Sequence, residues 1–354
     1  MSISQLRLMA STASRTASRC VEPLLSSEME RLPATATFRS HRQAPTARRQ
    51  YSSSSNDEVK PSILVATKDP SPGHRIATLT VSNPAKLNIV NTALLSQLVD
   101  ACQVLSGDSD LRAVILTGGR VAAGKQPSFI GGADIKEMHR LSSSDEARTF
   151  IEQIHLACKA IRDLPVPVIA RVHGFCLGAG LEIAAACDMR VATESSTFGM
   201  PEVKVGIPSV VEAALLPGLI GMGRTRRLLY LAENIDAATA ERWGLVEKVV
   251  PDQQGLDQVV DGWCGMIAGM GPKAIRSQKR LMQKWENCTV DEGVRAGVEA
   301  FAEAFADGGS EPRAFMSKFS DLWTWAMVRS RKTFDLIELV SCSGRVSHTS
   351  PDMS

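Results

Sequence analysis

HGFCLGAGLEIAAACD, residues 173–188, decides how this chain of 354 residues is read. The apolar run Val166–His173 leads into it and reads as a strand. Gly174, Gly178 and Gly180 then interrupt the pattern, and Leu181–Asp188 resumes as a helix rich in alanine. A helix entered through glycines presents unpaired backbone N–H groups and a partial positive charge, which suit a phosphate or a developing oxyanion. A dinucleotide fingerprint would need glycine at 183, where Ile183 stands. Glu182 lies in the first turn of this helix, between Leu181 and Ile183. It is either a carboxylate favoured by the helix dipole or, in such apolar company, an acid with a raised pKa suited to proton transfer.

Upstream, Phe129–Lys136 (FIGGADIK) is a second run of flexible backbone leading into a helix, with Asp134 placed as its N-cap. Two glycine-rich loops, each after a strand, can bring N–H donors from distant sequence to one carbonyl oxygen. Still further upstream, Gly119–Gln126 (GRVAAGKQ) is one residue short of a phosphate loop. Gln126 lacks the hydroxyl that such a loop gives to magnesium, and Pro127, Gly131 and Gly132 predict irregular chain where a helix is required. Downstream, Glu202 closes FGMPE (residues 198–202) just past the expected strand Met189–Ala192, and alone it would read as a solvated turn residue.

FIGGADIKEM (129–138), the opening stretch 173–188, FGMPEVKVG (198–206) and AERWGLVEKVV (240–250) together resemble the enoyl-CoA hydratase/isomerase, or crotonase, family in order and spacing. The resemblance covers residues 62–319. It implies an α/β fold, a crotonase-like spiral of ββα units with a C-terminal helical subdomain, assembling as a homotrimer or hexamer. It further implies an acyl-CoA substrate and no metal or redox cofactor, coenzyme A being part of the substrate.

Residue by residue, the family's oxyanion-hole N–H groups fall on Ala133 and Ala179, and its catalytic glutamates on Glu182 and Glu202, twenty residues apart as in family hydratases. Many family isomerases and hydrolases keep one of the two. Lys86, Asp134, Ile135 and Lys136 fall where the family approaches coenzyme A. Ser209 replaces a glycine whose amide helps to hold the water, and its own N–H can serve if the backbone there is not glycine-only. Glu212 adds a third acid, lining the site or lying on a helix surface. The chemistry implied is hydration of a 2-enoyl-CoA to a 3-hydroxyacyl-CoA through a stabilised enolate. The alternatives are a Δ3,Δ2-enoyl-CoA isomerase and a non-catalytic family member that binds RNA through a basic patch at Lys273, Arg276, Lys279, Arg280 and Lys284. The basic cluster that family members carry at the end of the core is missing after Phe319, and Arg329, Arg331 and Lys332 come later.

Charge separates a leader from the rest. Residues 1–56 hold eight Arg, no Lys and three Glu, a net +5, and close on Arg48–Ser52 (RRQYS), which resembles a mitochondrial transit peptide with a matrix-processing site. The remaining 32 basic and 35 acidic residues give −3, which argues against a nucleic-acid surface spread over the folded part. No apolar run reaches the roughly 18 residues that a spanning helix needs. Eight cysteines without a CxxC pair or a Cys/His cluster read as reduced thiols, with Cys176 and Cys187 as small core residues.

Strands are expected at 63–66, 75–81, 113–117, 166–172, 189–192 and 245–250, with helices at 92–105, 144–163 and 213–232 between them. Helices at 259–270, 272–286 and 290–306 follow. The expected organisation is a leader (1–56), a spiral core (62–256), a helical trimerisation region (257–319) and a tail (320–354).

Overall fold

The structure, a computed structural model, describes residues 60–318. The expected leader and the tail from 320 lie outside the described residues.

Strand pairs alternate with helices along the chain. Strands β1 (Ser62–Lys68) and β2 (Arg75–Ser82) pair antiparallel and precede helix α1 (Thr92–Ser106). The Asn91 side chain caps α1 by accepting from the Leu94 N–H, and the helix buries Leu94, Leu95, Leu98, Cys102 and Leu105, one face of a 3.6-residue period. The second unit is β3 (Leu111–Gly118), β4 (Ser128–Ile130), a single turn α2 (Ile135–Met138) and α3 (Ser144–Arg162). The third is β5 (Val168–Val172), β6 (Phe175–Leu177) and α4 (Ala179–Ala186). The fourth is β7 (Met189–Thr193) and β8 (Thr197–Gly199), followed by α5 (Leu216–Ile220) and α6 (Met222–Leu231). Next come β9 (Asn234–Asp236), α7 (Ala237–Trp243) and β10 (Lys248–Val250), then α8 (Gln253–Ala268), α9 (Pro272–Trp285) and α10 (Val290–Glu303).

The strands sort into a six-stranded sheet in the order β1-β2-β3-β5-β7-β10 and a four-stranded sheet in the order β4-β6-β8-β9. From β3 to β8, the first strand of each pair joins the larger sheet and the second the smaller one, which is the repeated ββα path. One apolar cluster joins the inner face of the larger sheet to α1, α3, α4 and the smaller sheet, with Phe129 and Phe198 fully buried. On the other face, Leu256, Val260 and Cys264 of α8 cover Ile76, Ala113, Ile115, Ile169 and Val191. Covering both faces explains the unbroken apolar run Ala113–Leu116 in β3, and each large aliphatic side chain so buried contributes roughly 1.5–3 kcal/mol.

Three expectations change. The strands β4, β6, β8 and β9 have three residues each and carry too little pattern to be read. The helix expected over 213–232 is instead a 3-10 turn (Val211–Leu215) followed by α5 and α6, broken where Pro217 lacks an N–H and Gly221 turns to φ +79°. The boundary expected between 256 and 257 cuts α8, a helix that belongs to the sheet it covers. Gly119–Gln126 leads into β4, with no helix after it, so the phosphate-loop reading fails in structure as well.

Candidate active site

Strands β4, β6 and β8 are parallel neighbours, with Ile130 opposite Cys176 and Leu177 opposite Gly199. Their carboxyl ends therefore lie side by side, and the chain leaving them carries Ala133, Ala179 and Glu202 in turn. Crevices at the carboxyl ends of parallel strands are where such sheets bind ligands.

Ala133 is held by a bridge to Val90: the Val90 N–H donates to Gly132 O at 2.9 Å, and the Asp134 N–H donates to Val90 O at 2.8 Å. Alternation along extended chain then turns the N–H of Ala133 to the opposite side. Ala179 opens α4 behind Gly178, whose φ of +52° favours glycine. The Leu181 and Glu182 N–H groups donate to Gly178 O at 2.8 and 3.1 Å, so Ala179 lies before the first intrahelical bond and its N–H is one of the orphan donors of the terminus. A Cβ at Gly180 would fall 2.1 Å from Ile130 O, which shows how closely the two loops approach.

Glu182 is 4% exposed. Burial first, then the charge of Glu202, push its carboxyl up to about 8, against a backbone hydrogen bond from Ala213, with a smaller push from Glu212. It therefore holds a proton at neutral pH. Glu202 begins a 3-10 turn (Glu202–Val205) and is half-buried. The Ser209 hydroxyl donates to Glu202 Oε2 at 2.8 Å, and a Cβ at Gly178 would lie 2.5 Å from Glu202 Oε1. Glu202 thus rests against the backbone that precedes Ala179, and Glu182 lies one turn further along the same helix.

Glu212 points inward, not onto a helix surface. It is 7% exposed, in the 3-10 turn that packs on α4. Glu212 Oε1 is 2.8 Å from Nδ1 of His155, and Glu212 Oε2 has no hydrogen-bond partner among the described residues. Val211 before it takes φ +41°, a strained conformation for a β-branched residue that costs about 1–3 kcal/mol. No motif singles out His155; the only clue is its place on an amphipathic helix whose buried face runs through Ile154 and Cys158.

Of the residues expected near coenzyme A, two bond each other. Lys86 Nζ donates to Asp134 Oδ2 at 2.8 Å, and Asp134 also caps α2 by accepting from the Lys136 N–H. Burial works to raise the Asp134 carboxyl, but Lys86 and that N–H outweigh it and hold it below its usual range. The side chains of Ile135 and Lys136 are exposed. In the basic patch of α9, Lys273 pairs with Asp307 at 2.6 Å, the buried Lys279 pairs with Asp188 at 2.6 Å, and Arg276 donates to the Asp108 and Leu111 carbonyls. Those three cations serve to dock the helix.

The family model described as "Enoyl-CoA hydratase/isomerase" matches residues 72–320. The "Short-chain-enoyl-CoA hydratase" of Clostridium acetobutylicum is 36% identical over 64% of this chain and 85% of its own length. The "Crotonyl-CoA hydratase" of Syntrophomonas wolfei is 35% identical over 69% of this chain and 92% of its own. A protein of Dictyostelium discoideum named "Probable enoyl-CoA hydratase, mitochondrial" is 31% identical over 70% and 87%. Among solved structures, an enoyl-CoA hydratase of Mycobacterium smegmatis superposes with a TM-score of 0.66 at 28% identity, over 73% of this chain and 97% of that one.

Proposed function

The chain belongs to the enoyl-CoA hydratase/isomerase family, and we propose that it adds water to a 2-enoyl-CoA thioester to give the 3-hydroxyacyl-CoA. The observation that carries this reading is the second acid: Glu202 lies against the oxyanion loop while buried Glu182 holds a proton. The N–H groups of Ala133 and Ala179 polarise the thioester carbonyl, which makes Cβ electrophilic and stabilises the enolate; losing one such donor typically costs about 10²–10³ in rate. Glu202 orients a water and takes one of its protons as the oxygen bonds to Cβ. The π electrons move onto the thioester oxygen as an enolate. The enolate then collapses with transfer of the Glu182 proton to Cα. Two carboxyl groups with one proton between them supply the base and the acid together. Lys86 and Asp134 pin the first loop, and exposed Lys136 beside them is placed to meet a coenzyme A phosphate. No group beyond the substrate's own coenzyme A enters these steps.

The assembly proposed is a homotrimer, or a hexamer made of two. Val290, Val294, Val298 and Phe301 form an exposed apolar stripe along α10, flanked by Met282 and Trp285 of α9, and such a patch calls for a partner surface. No helix among the described residues is long and apolar enough to cross a membrane. The arginine-rich residues 1–56, with a relative named as mitochondrial, support import into the mitochondrial matrix.

Incubation with crotonyl-CoA and, separately, with a 3-enoyl-CoA tests the reaction. Formation of 3-hydroxybutyryl-CoA from the first, with the second unchanged, is the expected result. Conversion of the 3-enoyl-CoA alone would make the chain an isomerase, and turnover of neither would sink the enzymatic reading.

A further inference from the structure

Building on the hydration steps above, we infer that Glu212 and His155 are positioning residues: the bond between them anchors the loop 209–213, which brackets both catalytic glutamates. At the start of this loop the Ser209 hydroxyl donates to Glu202 Oε2 at 2.8 Å. At its end the Ala213 N–H, which also closes the turn onto Val210 O at 2.9 Å, donates to the Glu182 carboxyl. The base and the acid of the hydration are thus aimed by one short segment of chain.

That segment has little of its own to hold it. No side chain caps the 3-10 turn Val211–Leu215, and 3-10 hydrogen bonds are poorly aligned, so tertiary contacts must fix so short a turn. It packs against both α3 and α4, and within it only Glu212 and Ala213 are buried. These two residues divide the work. Ala213 bonds Glu182 of α4, and Glu212 bonds His155 of α3. His155 Nδ1 and Glu212 Oε1 are 2.8 Å apart, and because a carboxylate only accepts, Nδ1 carries the proton. His155 is itself well placed to anchor a loop, since α3 buries Ile154 and Cys158 on either side of it, and a helix holds a side chain more firmly than a loop does.

The segment also carries penalties that a purely structural turn would avoid. Val211 sits at φ +41°, strained for a β-branched residue, and Glu212 Oε2 is buried without a hydrogen-bond partner among the described residues. Glycine at 211 and an apolar residue at 212 would remove both. Strain of this kind persists where the surroundings over-determine the backbone, and it gathers at active sites. The strained residue here lies between two fixed points, Ser209 on Glu202 and Glu212 on His155. Losing the second point leaves substrate binding in place and lets both acids drift from the reacting atoms.

The test compares steady-state crotonyl-CoA hydration and thermal melting for the full chain carrying His155→Ala, His155→Asn, Glu212→Leu, Glu212→Gln or, as a control, Lys159→Ala. Lys159 lines the same cleft as His155 and pairs with Asp163. His155→Ala and Glu212→Leu break the bond and are expected to lower kcat roughly ten-fold or more with KM little changed. His155→Asn keeps a donor and Glu212→Gln an acceptor, so both should recover most of that loss, and Lys159→Ala should match wild type. Full kcat in His155→Ala, no recovery in His155→Asn, or a loss that merely follows the folded fraction would overturn the inference. The His155 side chain is 49% exposed, so its variants remain informative if Glu212→Leu does not fold. Glu182→Gln in the same assay separates the two ideas: if it keeps its kcat, the hydration steps themselves are wrong, whatever His155 does.

Discussion

Ser209 and Glu202 meet through side chains: the serine hydroxyl donates to Oε2 of the glutamate at 2.8 Å. The resemblance to the family puts a glycine here whose main-chain N–H helps to hold the water, and the serine side chain adds a bond to the glutamate itself. A hydrogen bond to a charged group is worth about 1.5–3 kcal/mol, so Ser209→Ala should lower kcat/KM roughly 10- to 100-fold. Ser209→Thr, which keeps the hydroxyl, should recover most of that loss. Steady-state kinetics on crotonyl-CoA checks both, and equal rates for Ala and wild type would show that the hydroxyl does not position Glu202.

Gly178 is required for the site more than for the fold. An added Cβ meets Oε1 of Glu202 at 2.5 Å, and the φ of +52° is one that side-chain-bearing residues resist. The flexible carboxylate can move away, so Gly178→Ala should fold with a loss of about 1–2 kcal/mol and yet lose at least roughly ten-fold in kcat. Thermal melting beside kinetics distinguishes this from a general folding defect, in which melting temperature would fall without a separate loss of kcat in the folded fraction.

Burial of Glu182 makes stability fall with rising pH. Its folded pKa of about 8 stands above the usual 4.5, so the folded state binds the proton more tightly and the acid costs little below pH 4.5. As pH rises through 8 the penalty grows to on the order of 5 kcal/mol. Glu182→Gln should therefore melt higher than wild type at pH 9 and converge with it at pH 5. A constant gap across that range would mean that Glu182 does not keep its proton on folding.

His173 sets the opposite limit. Burial first, then the charge of Arg171, push its pKa down to about 4 from 6.5, and Nδ1 has no hydrogen-bond partner among the described residues. The unfolded chain then binds the extra proton between those values, so this contribution is complete above pH 6.5 and is lost as pH falls toward 4. His173→Gln should flatten the acid limb of a stability profile measured by urea melts from pH 4 to 7. An unchanged limb would assign acid sensitivity to other groups.

The larger sheet could be read from sequence because its strands are long: Arg75–Ser82 and Leu111–Gly118 have eight residues each and bury most of them. The smaller sheet could not, although it aims the site. Phe175–Leu177 shows one alternation and Thr197–Gly199 barely that, so what fixes them is pairing with neighbours distant in sequence. Glycines at 132, 178 and 180 were legible as flexible loops that enter helices, and it was the family resemblance that put the oxyanion-hole N–H groups on Ala133 and Ala179. Glu212 was ambiguous because its environment depends on Pro217 and Gly221 breaking a helix that the apolar spacing extends through. His155 had no motif, and only tertiary packing brings it to Glu212.

The stripe on α10 bears on assembly and can be tested apart from catalysis. Val290, Val294 and Val298 follow one another at four-residue steps, and Phe301 continues the row, all more than 60% exposed. Among the described residues α10 packs against α9, and this row of side chains stays exposed. Burying four such side chains between subunits would contribute roughly 1.5–3 kcal/mol each before the cost of association. Val294→Glu with Val298→Glu places two charges in that surface and, because both positions are exposed, should leave the monomer folded. Light scattering after size exclusion should give a trimer or hexamer mass for wild type and a monomer mass for the double variant. If the variant keeps the wild-type mass, this face of α10 is not the subunit contact and another surface must close the assembly.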